Sequence, residues 1–317
     1  MRQLTITALI VGMMTIAGHA EEASFPAALP SPLADPHIAC FKGIYYIYPT
    51  TDNTAWNPTS FSVWMSKDLV EWKNGGVILD FKVDLGWAKG QAWAPCIAAK
   101  NGKYYFYFSA EQQIGVAVSD QPTGPFKDPL GKPLVPRGSY ECQTIDPMVF
   151  IDDDGAPYLY FGQGNCNVVR LNDDMISFDP KNVKRITPEG YNEGAFMIKR
   201  KGIYYLMWSS HDTRDPRYSV NYASGPSAIG PFILAASNPI LKKNGVVTAA
   251  GHHSVVHVPN KDEWYIAYHR FHIPGGDGYN REVCVSPMRF NVQGGIEPVD
   301  VLDVTKPLGA SLSRLKK

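Results

Sequence analysis

A surplus of charge of either sign is what this 317-residue chain lacks: 30 Lys and Arg are matched by 30 Asp and Glu. With no basic excess there is little electrostatic attraction for nucleic acid or an anionic membrane, and a neutral partner is expected. Cysteine is scarce. The five residues Cys40, Cys96, Cys142, Cys166 and Cys284 are an odd number, which excludes complete pairing, and Cys40 and Cys96 lie in apolar strand context where a buried free thiol is the common state. Long amphipathic helical periodicity is nearly missing, which argues against a helical fold. The apolar run from Leu4 to Ala17 is shorter than the ~20 residues that a membrane span requires. It follows Arg2 and precedes Gly18-His19-Ala20, the order of a secretory signal peptide. Residues 1–20 are therefore read as a leader and 21–317 as one exported domain, periplasmic or extracellular.

What the chain does have is turns and aromatic strands, with 28 Gly, 25 Pro and 12% aromatic residues. Five segments share one pattern, a polar turn followed by an aromatic-rich strand: Lys42–Tyr48, Asn101–Tyr107, Asp154–Tyr160, Lys201–Met207 and Lys261–Ala267. Taking Tyr46, Tyr105, Tyr158, Tyr205 and Tyr265 as markers, the intervals are 105−46=59, 158−105=53, 205−158=47 and 265−205=60. A repeat of roughly 40–60 residues built from short strands is the signature of a propeller blade. The fold expected is all-β, a five-bladed β-propeller.

A short apolar strand precedes each turn, so every unit opens with a hairpin. These leading strands line the central channel of a propeller, and their first residues converge on one rim. Counted back from the turn glycine, Asp146, Glu193 and Trp93 lie nine residues away (155−146, 202−193, 102−93) and Asp35 eight (43−35). Three acids at one channel mouth suggest function, because a buried carboxylate destabilises a fold unless it is paired or put to use. Two carboxyls in different environments are what glycoside hydrolysis needs. Glu193, beside Gly194-Ala195-Phe196, suits the protonated acid, Asp35 the base, and Asp146 the residue that keeps Glu193 protonated by repulsion and orients it. Asp152-Asp153-Asp154-Gly155 lacks the alternation of a calcium loop and reads as a hairpin turn.

Taken together, Ala34-Asp35-Pro36, Ala92-Trp93-Ala94-Pro95, Ile145-Asp146-Pro147, Asn192-Glu193-Gly194 and Gly251-His252-His253-Ser254 resemble glycoside hydrolase family 43, over roughly residues 33–300. The resemblance implies arabinofuranosidase, xylosidase or arabinanase activity with inversion of configuration. Asp35 would be the base, Asp146 the pKa modulator and Glu193 the acid. It further implies a histidine of the doublet, His252 first, in the channel near a hydrated calcium or sodium ion, with no cofactor in the chemistry itself. Arg281 would contact the sugar or the acidic cluster, and Trp93 would stack on a sugar face. The substrate implied is an oligo- or polysaccharide bearing terminal α-L-arabinofuranosyl or β-D-xylosyl residues, with galactofuranose as the alternative sugar. A non-catalytic glycan-binding propeller is the rival from another class. A retaining fructan-type hydrolase would need an Arg-Asp-Pro middle motif, but Arg214-Asp215-Pro216 follows Glu193 and reads as a loop.

Overall fold

The computed structural model describes residues 27–52 and 56–301; the expected leader lies outside them. Alternating apolar strands and short polar turns build five antiparallel sheets. The first sheet comprises β1 (Leu33–Phe41), β2 (Ile44–Thr51), β3 (Ser60–Ser66) and β4 (Lys73–Asp80). Next come β5 (Trp93–Lys100), β6 (Lys103–Ala110) and β7 (Gln113–Ser119), then β8 (Met148–Ile151), β9 (Pro157–Phe161), β10 (Asn167–Arg170) and β11 (Lys184–Arg185). The fourth sheet holds β12 (Glu193–Arg200), β13 (Ile203–Ser210), β14 (Ser219–Gly225) and β15 (Ile233–Leu234). The fifth holds β16 (Gly251–His257), β17 (Trp264–Phe271) and β18 (Arg281–Met288). The leading strands β1, β5, β8, β12 and β16 touch in that order, and β16 returns to β1. Five sheets in a ring make the expected five-bladed propeller. Among the described residues no helix is long and apolar enough to cross a membrane.

Turn chemistry explains the hairpins. Lys42-Gly43, Asn101-Gly102 and Lys201-Gly202 have φ of 52° and 79°, 53° and 76°, and 50° and 81°. Two consecutive residues at positive φ make the type I′ turn whose twist matches that of the flanking strands. The acidic run at 152–155 is indeed a hairpin turn, with the Gly155 amide donating to the Asp152 carbonyl at 2.8 Å. Aromatic side chains of the second strands fill the space between blades, and a buried phenol needs a hydrogen-bond partner. Tyr48 finds one in the Pro122 carbonyl (2.8 Å), Tyr107 in that of Met175 (2.6 Å) and Tyr160 in that of Ala228 (2.6 Å), each fastening its blade to chain further on. The ring closes where the Ala28 amide donates to the Val283 carbonyl of β18 at 2.7 Å. The segment ahead of the first blade thus joins the sheet of the last.

Candidate active site

Four of the five leading strands begin with the same irregularity. Pairing with the second strand skips between Ala34 and His37, Trp93 and Cys96, Glu193 and Phe196, and Gly251 and Ser254. The first residue of every bulge has a positive φ: Asp35 (45°), Ala94 (42°), Gly194 (63°) and His252 (41°), with Asp146 (58°) two residues before β8 in the matching place. Bulges re-aim side chains, and non-glycine residues persist at positive φ only where their surroundings hold them. This register revises the expected equivalence of the acids. The third turn places five residues between paired Ile151 and Pro157, where the first places two between Phe41 and Ile44. Asp146 therefore aligns with Asp35, while Glu193 aligns with Trp93, one residue earlier on its strand.

The bulge amides are anchored by the neighbouring blade. The Ala94 amide donates to Thr50 Oγ1 (2.8 Å), that of Asp146 to Ser109 Oγ (3.0 Å) and that of His252 to Ser209 Oγ (2.9 Å). The corresponding residue of the third blade is Gly162, which has no hydroxyl to offer. The Gly194 amide instead donates to the Asp146 carboxylate at 3.2 Å, fixing that side chain against the start of β12.

Asp35 is gripped from three sides. Arg281 Nη1 donates to its Oδ1 at 2.9 Å and Nη2 to its Oδ2 at 3.4 Å, while Nε and Nη2 hold the buried Asp52 at 2.8 and 2.6 Å. With Nη1 also donating to Thr213 Oγ1 (3.2 Å), all five N–H groups of Arg281 are committed. Of the two expected contacts for this arginine, the structure shows the one to the acidic cluster. The Asp35 amide donates to His269 Nδ1 at 3.3 Å, the same nitrogen stands 3.0 Å from Asp35 Oδ1, and His269 Nε2 meets Thr213 Oγ1 at 3.2 Å. Burial alone would raise the Asp35 pKa, but Arg281, His252 and His269 outweigh it and hold the carboxyl well below its usual range.

The other two acids tend the opposite way. Glu193 is 5% exposed; it accepts from Tyr218 Oη at 2.6 Å and from the Gln163 amide. Burial raises its pKa against the pull of His252 and Tyr218, and the Asp35 charge adds to the rise. Asp146 is pushed up to about 7 by burial, opposed by His252 and reinforced by repulsion from Glu193 and Asp35. The two therefore titrate as a pair that retains a proton to near neutrality. In the roles the sequence leads one to expect, the base lies low and the proton-holding pair lies high. Activity is accordingly expected to persist into acid, below the usual carboxylate range, and to decline as pH rises through about 7, which a kcat/KM–pH profile measures.

These carboxyls face a cavity of about 180 Å³. Trp93 forms part of its wall, and its indole N–H donates to the Trp56 carbonyl at 2.8 Å while the two rings meet edge to face at 6.5 Å. Trp56 in turn contacts Tyr279 (4.6 Å) and donates to the Gly278 carbonyl (3.0 Å). Arg214, paired bidentately with Asp212, completes that side, so Arg214-Asp215-Pro216 is a rim loop. Loops of the first, fourth and fifth blades are thus knitted into one wall. His252 lies 3.6 Å from Asp35 Oδ1, and its ring nitrogen, Asp146 and Glu193 offer ligand atoms within 4.8 Å of one another. His253 points away from this cavity into the axial channel below, where neither ring nitrogen has a hydrogen-bond partner and burial lowers its pKa to about 3. Sequence reasoning missed Asp52, Thr213, Tyr218, His269 and Gln163.

Comparison with known proteins agrees with this geometry. The profile described as Glycosyl hydrolases family 43 matches residues 28–296. A β-D-galactofuranosidase of Aspergillus niger is 36% identical over 283 residues, covering 84% of this chain and 82% of that protein. A xylosidase/arabinosidase of Bacteroides ovatus is 30% identical over 328 residues, covering 86% and 96%. Among solved structures, a thermostable family-43 glycoside hydrolase superposes with a TM-score of 0.77 at 29% identity, over 87% of this chain and 95% of that one.

Proposed function

Because the chain belongs to glycosyl hydrolase family 43 and is a glycoside hydrolase, we propose that it removes terminal α-L-arabinofuranosyl or β-D-xylosyl residues from plant polysaccharides or their fragments, with inversion. The observation that carries this reading is the gathering of Asp35, Asp146 and Glu193 around one cavity with opposed protonation tendencies. Asp35, ionised beside Arg281, activates water and accepts its proton. Glu193 donates a proton to the departing oxygen as the anomeric C–O bond breaks, and Asp146 keeps a proton available to the pair. The wall joining Trp56, Tyr279 and Arg214 encloses one side of the cavity, which supports action on chain ends. Trp93 offers an apolar face to the sugar ring.

Asp146 and Glu193 offer carboxylate oxygens beside His252, and oxygen donors are what a hydrated calcium or sodium ion would take. Such an ion would add positive potential to the floor of the site. Hydrolysis itself draws on no cofactor.

The β-D-galactofuranosidase relative supports a second reading, in which the sugar is galactofuranose. A panel of aryl α-L-arabinofuranosides, β-D-xylosides and β-D-galactofuranosides separates the two, with proton NMR of the first-formed anomer reporting stereochemistry. Turnover of the pentosides with an inverted product is expected. Preference for the galactofuranoside transfers the assignment to the second reading, and a retained anomer removes Asp35 from the role of base.

A further inference from the structure

The site contains a connection between acid and base that the reaction as described does not use. Tyr218 is fully buried immediately before β14, and its hydroxyl donates to Glu193 Oε1 at 2.6 Å. Its ring lies flat on the imidazole of His269, with centroids 5.4 Å apart and planes 2° apart. His269, on β17 and 0% exposed, presents Nδ1 to Asp35 Oδ1 at 3.0 Å. The stack is accommodated by the residue opposite His269, because a Cβ on Gly251 would stand 2.4 Å from Tyr218 Cδ1 and Cε1. His269 also occupies the place where the first, second and fourth blades carry Thr50, Ser109 and Ser209, so at the seam an imidazole replaces the hydroxyl that elsewhere anchors a bulge.

We propose that the stacked Tyr218–His269 pair is a positioning device for hydrolysis, holding the proton donor Glu193 and the water-activating Asp35 in fixed relation across the fifth blade. Two rigid, parallel rings transmit position without sharing a proton. Donor and base belong to strands 158 residues apart in sequence (193−35) and share no hydrogen bond with each other among the described residues. Tyr218 sets where the Glu193 carboxyl points, and His269 sets Asp35. The stack makes the two placements one. Neither ring touches the reacting atoms, so both are positioning residues.

This inference rests on the roles given to Glu193 and Asp35 above, and the test keeps the two apart. Wild type, Tyr218→Phe, Tyr218→Leu and Glu193→Gln are compared on aryl glycosides of the preferred sugar, with leaving groups from dinitrophenyl to unsubstituted phenyl. Dinitrophenolate departs without protonation, whereas phenolate needs it. Tyr218→Phe keeps the ring and loses the hydroxyl. It is expected to match wild type within about 2-fold on the dinitrophenyl substrate and to fall roughly 10- to 100-fold on the phenyl substrate, the range for a lost hydrogen bond to a charged group. Tyr218→Leu removes the stack too and is expected to lose a further factor of about 10 on the dinitrophenyl substrate, where only the base is limiting. A loss in Tyr218→Phe that is the same for every aglycone, or absent on the phenyl substrate, overturns the proposal. So does Tyr218→Leu behaving like Tyr218→Phe on the dinitrophenyl substrate. If Glu193→Gln itself shows no dependence on the leaving group, the acid assignment fails first and takes this inference with it.

Discussion

In a Glu193→Gln variant, kcat for a glycoside with a poor leaving group is expected to fall ~10²–10⁴-fold, the share that general-acid catalysis commonly supplies. The amide is nearly isosteric and can still meet the Tyr218 hydroxyl and the Gln163 side chain, which hold the native carboxylate in a buried setting. What it cannot do is give up a proton to the departing oxygen. The deficit should therefore shrink as the aglycone becomes a better leaving group, and the alkaline decline of the pH profile should flatten. Steady-state kinetics on an aryl glycoside series measure both effects. A Gln variant that turns over a phenyl glycoside at the wild-type rate would remove Glu193 from proton transfer altogether.

Asp35→Asn should cost a comparable ~10²–10⁴-fold, but with a different signature. Water must be activated whatever the aglycone, so the loss is expected to be uniform from dinitrophenyl to phenyl substrates. The substitution also alters the electrostatics of the seam. Arg281 keeps Asp52 at 2.6 Å but loses its second carboxylate, and the group 3.0 Å from His269 Nδ1 is no longer charged. Because the Asp35 charge adds to the rise in the pKa values of both Glu193 and Asp146, its removal should move the alkaline limb of any residual activity downward. A loss confined to poor leaving groups would instead assign Asp35 to the acid side of the reaction.

The repeat carried most of this architecture in plain view, because a blade must present the same turn and the same aromatic strand each time it packs against its neighbour. The acids at the leading ends were legible for the same reason. Their exact alignment was not, since the third turn is longer than the first and counting from its glycine shifts Asp146 by a residue relative to Asp35. His269 was within reach of the same argument. The residues four beyond the marker tyrosines are Thr50, Ser109, Gly162, Ser209 and His269, a column of anchoring hydroxyls broken once by glycine and once by imidazole. Both exceptions bear on chemistry, one freeing an amide for Asp146 and the other supporting Asp35. Asp52 and Thr213 were out of reach because their partner Arg281 lies in another blade, and such pairings depend on how loops descend over the rim. Trp93 showed its place but not its neighbour Trp56, whose contacts run to a loop of the fifth blade.

The join between the first and last blades also determines when this protein can work. Asp35 arrives with the earliest sheet to leave the ribosome, while His252, His269 and Arg281 arrive with the latest, 234 residues separating Asp35 from His269 and 246 separating it from Arg281. Until the first and last blades meet, Asp35 has neither its guanidinium nor its imidazole, and a nascent or frayed chain holds an incomplete site even with four blades formed. With Asp35 as the proposed base, catalytic competence is expected to follow circularisation, and loosening that single seam to silence the enzyme while leaving most of its sheets intact.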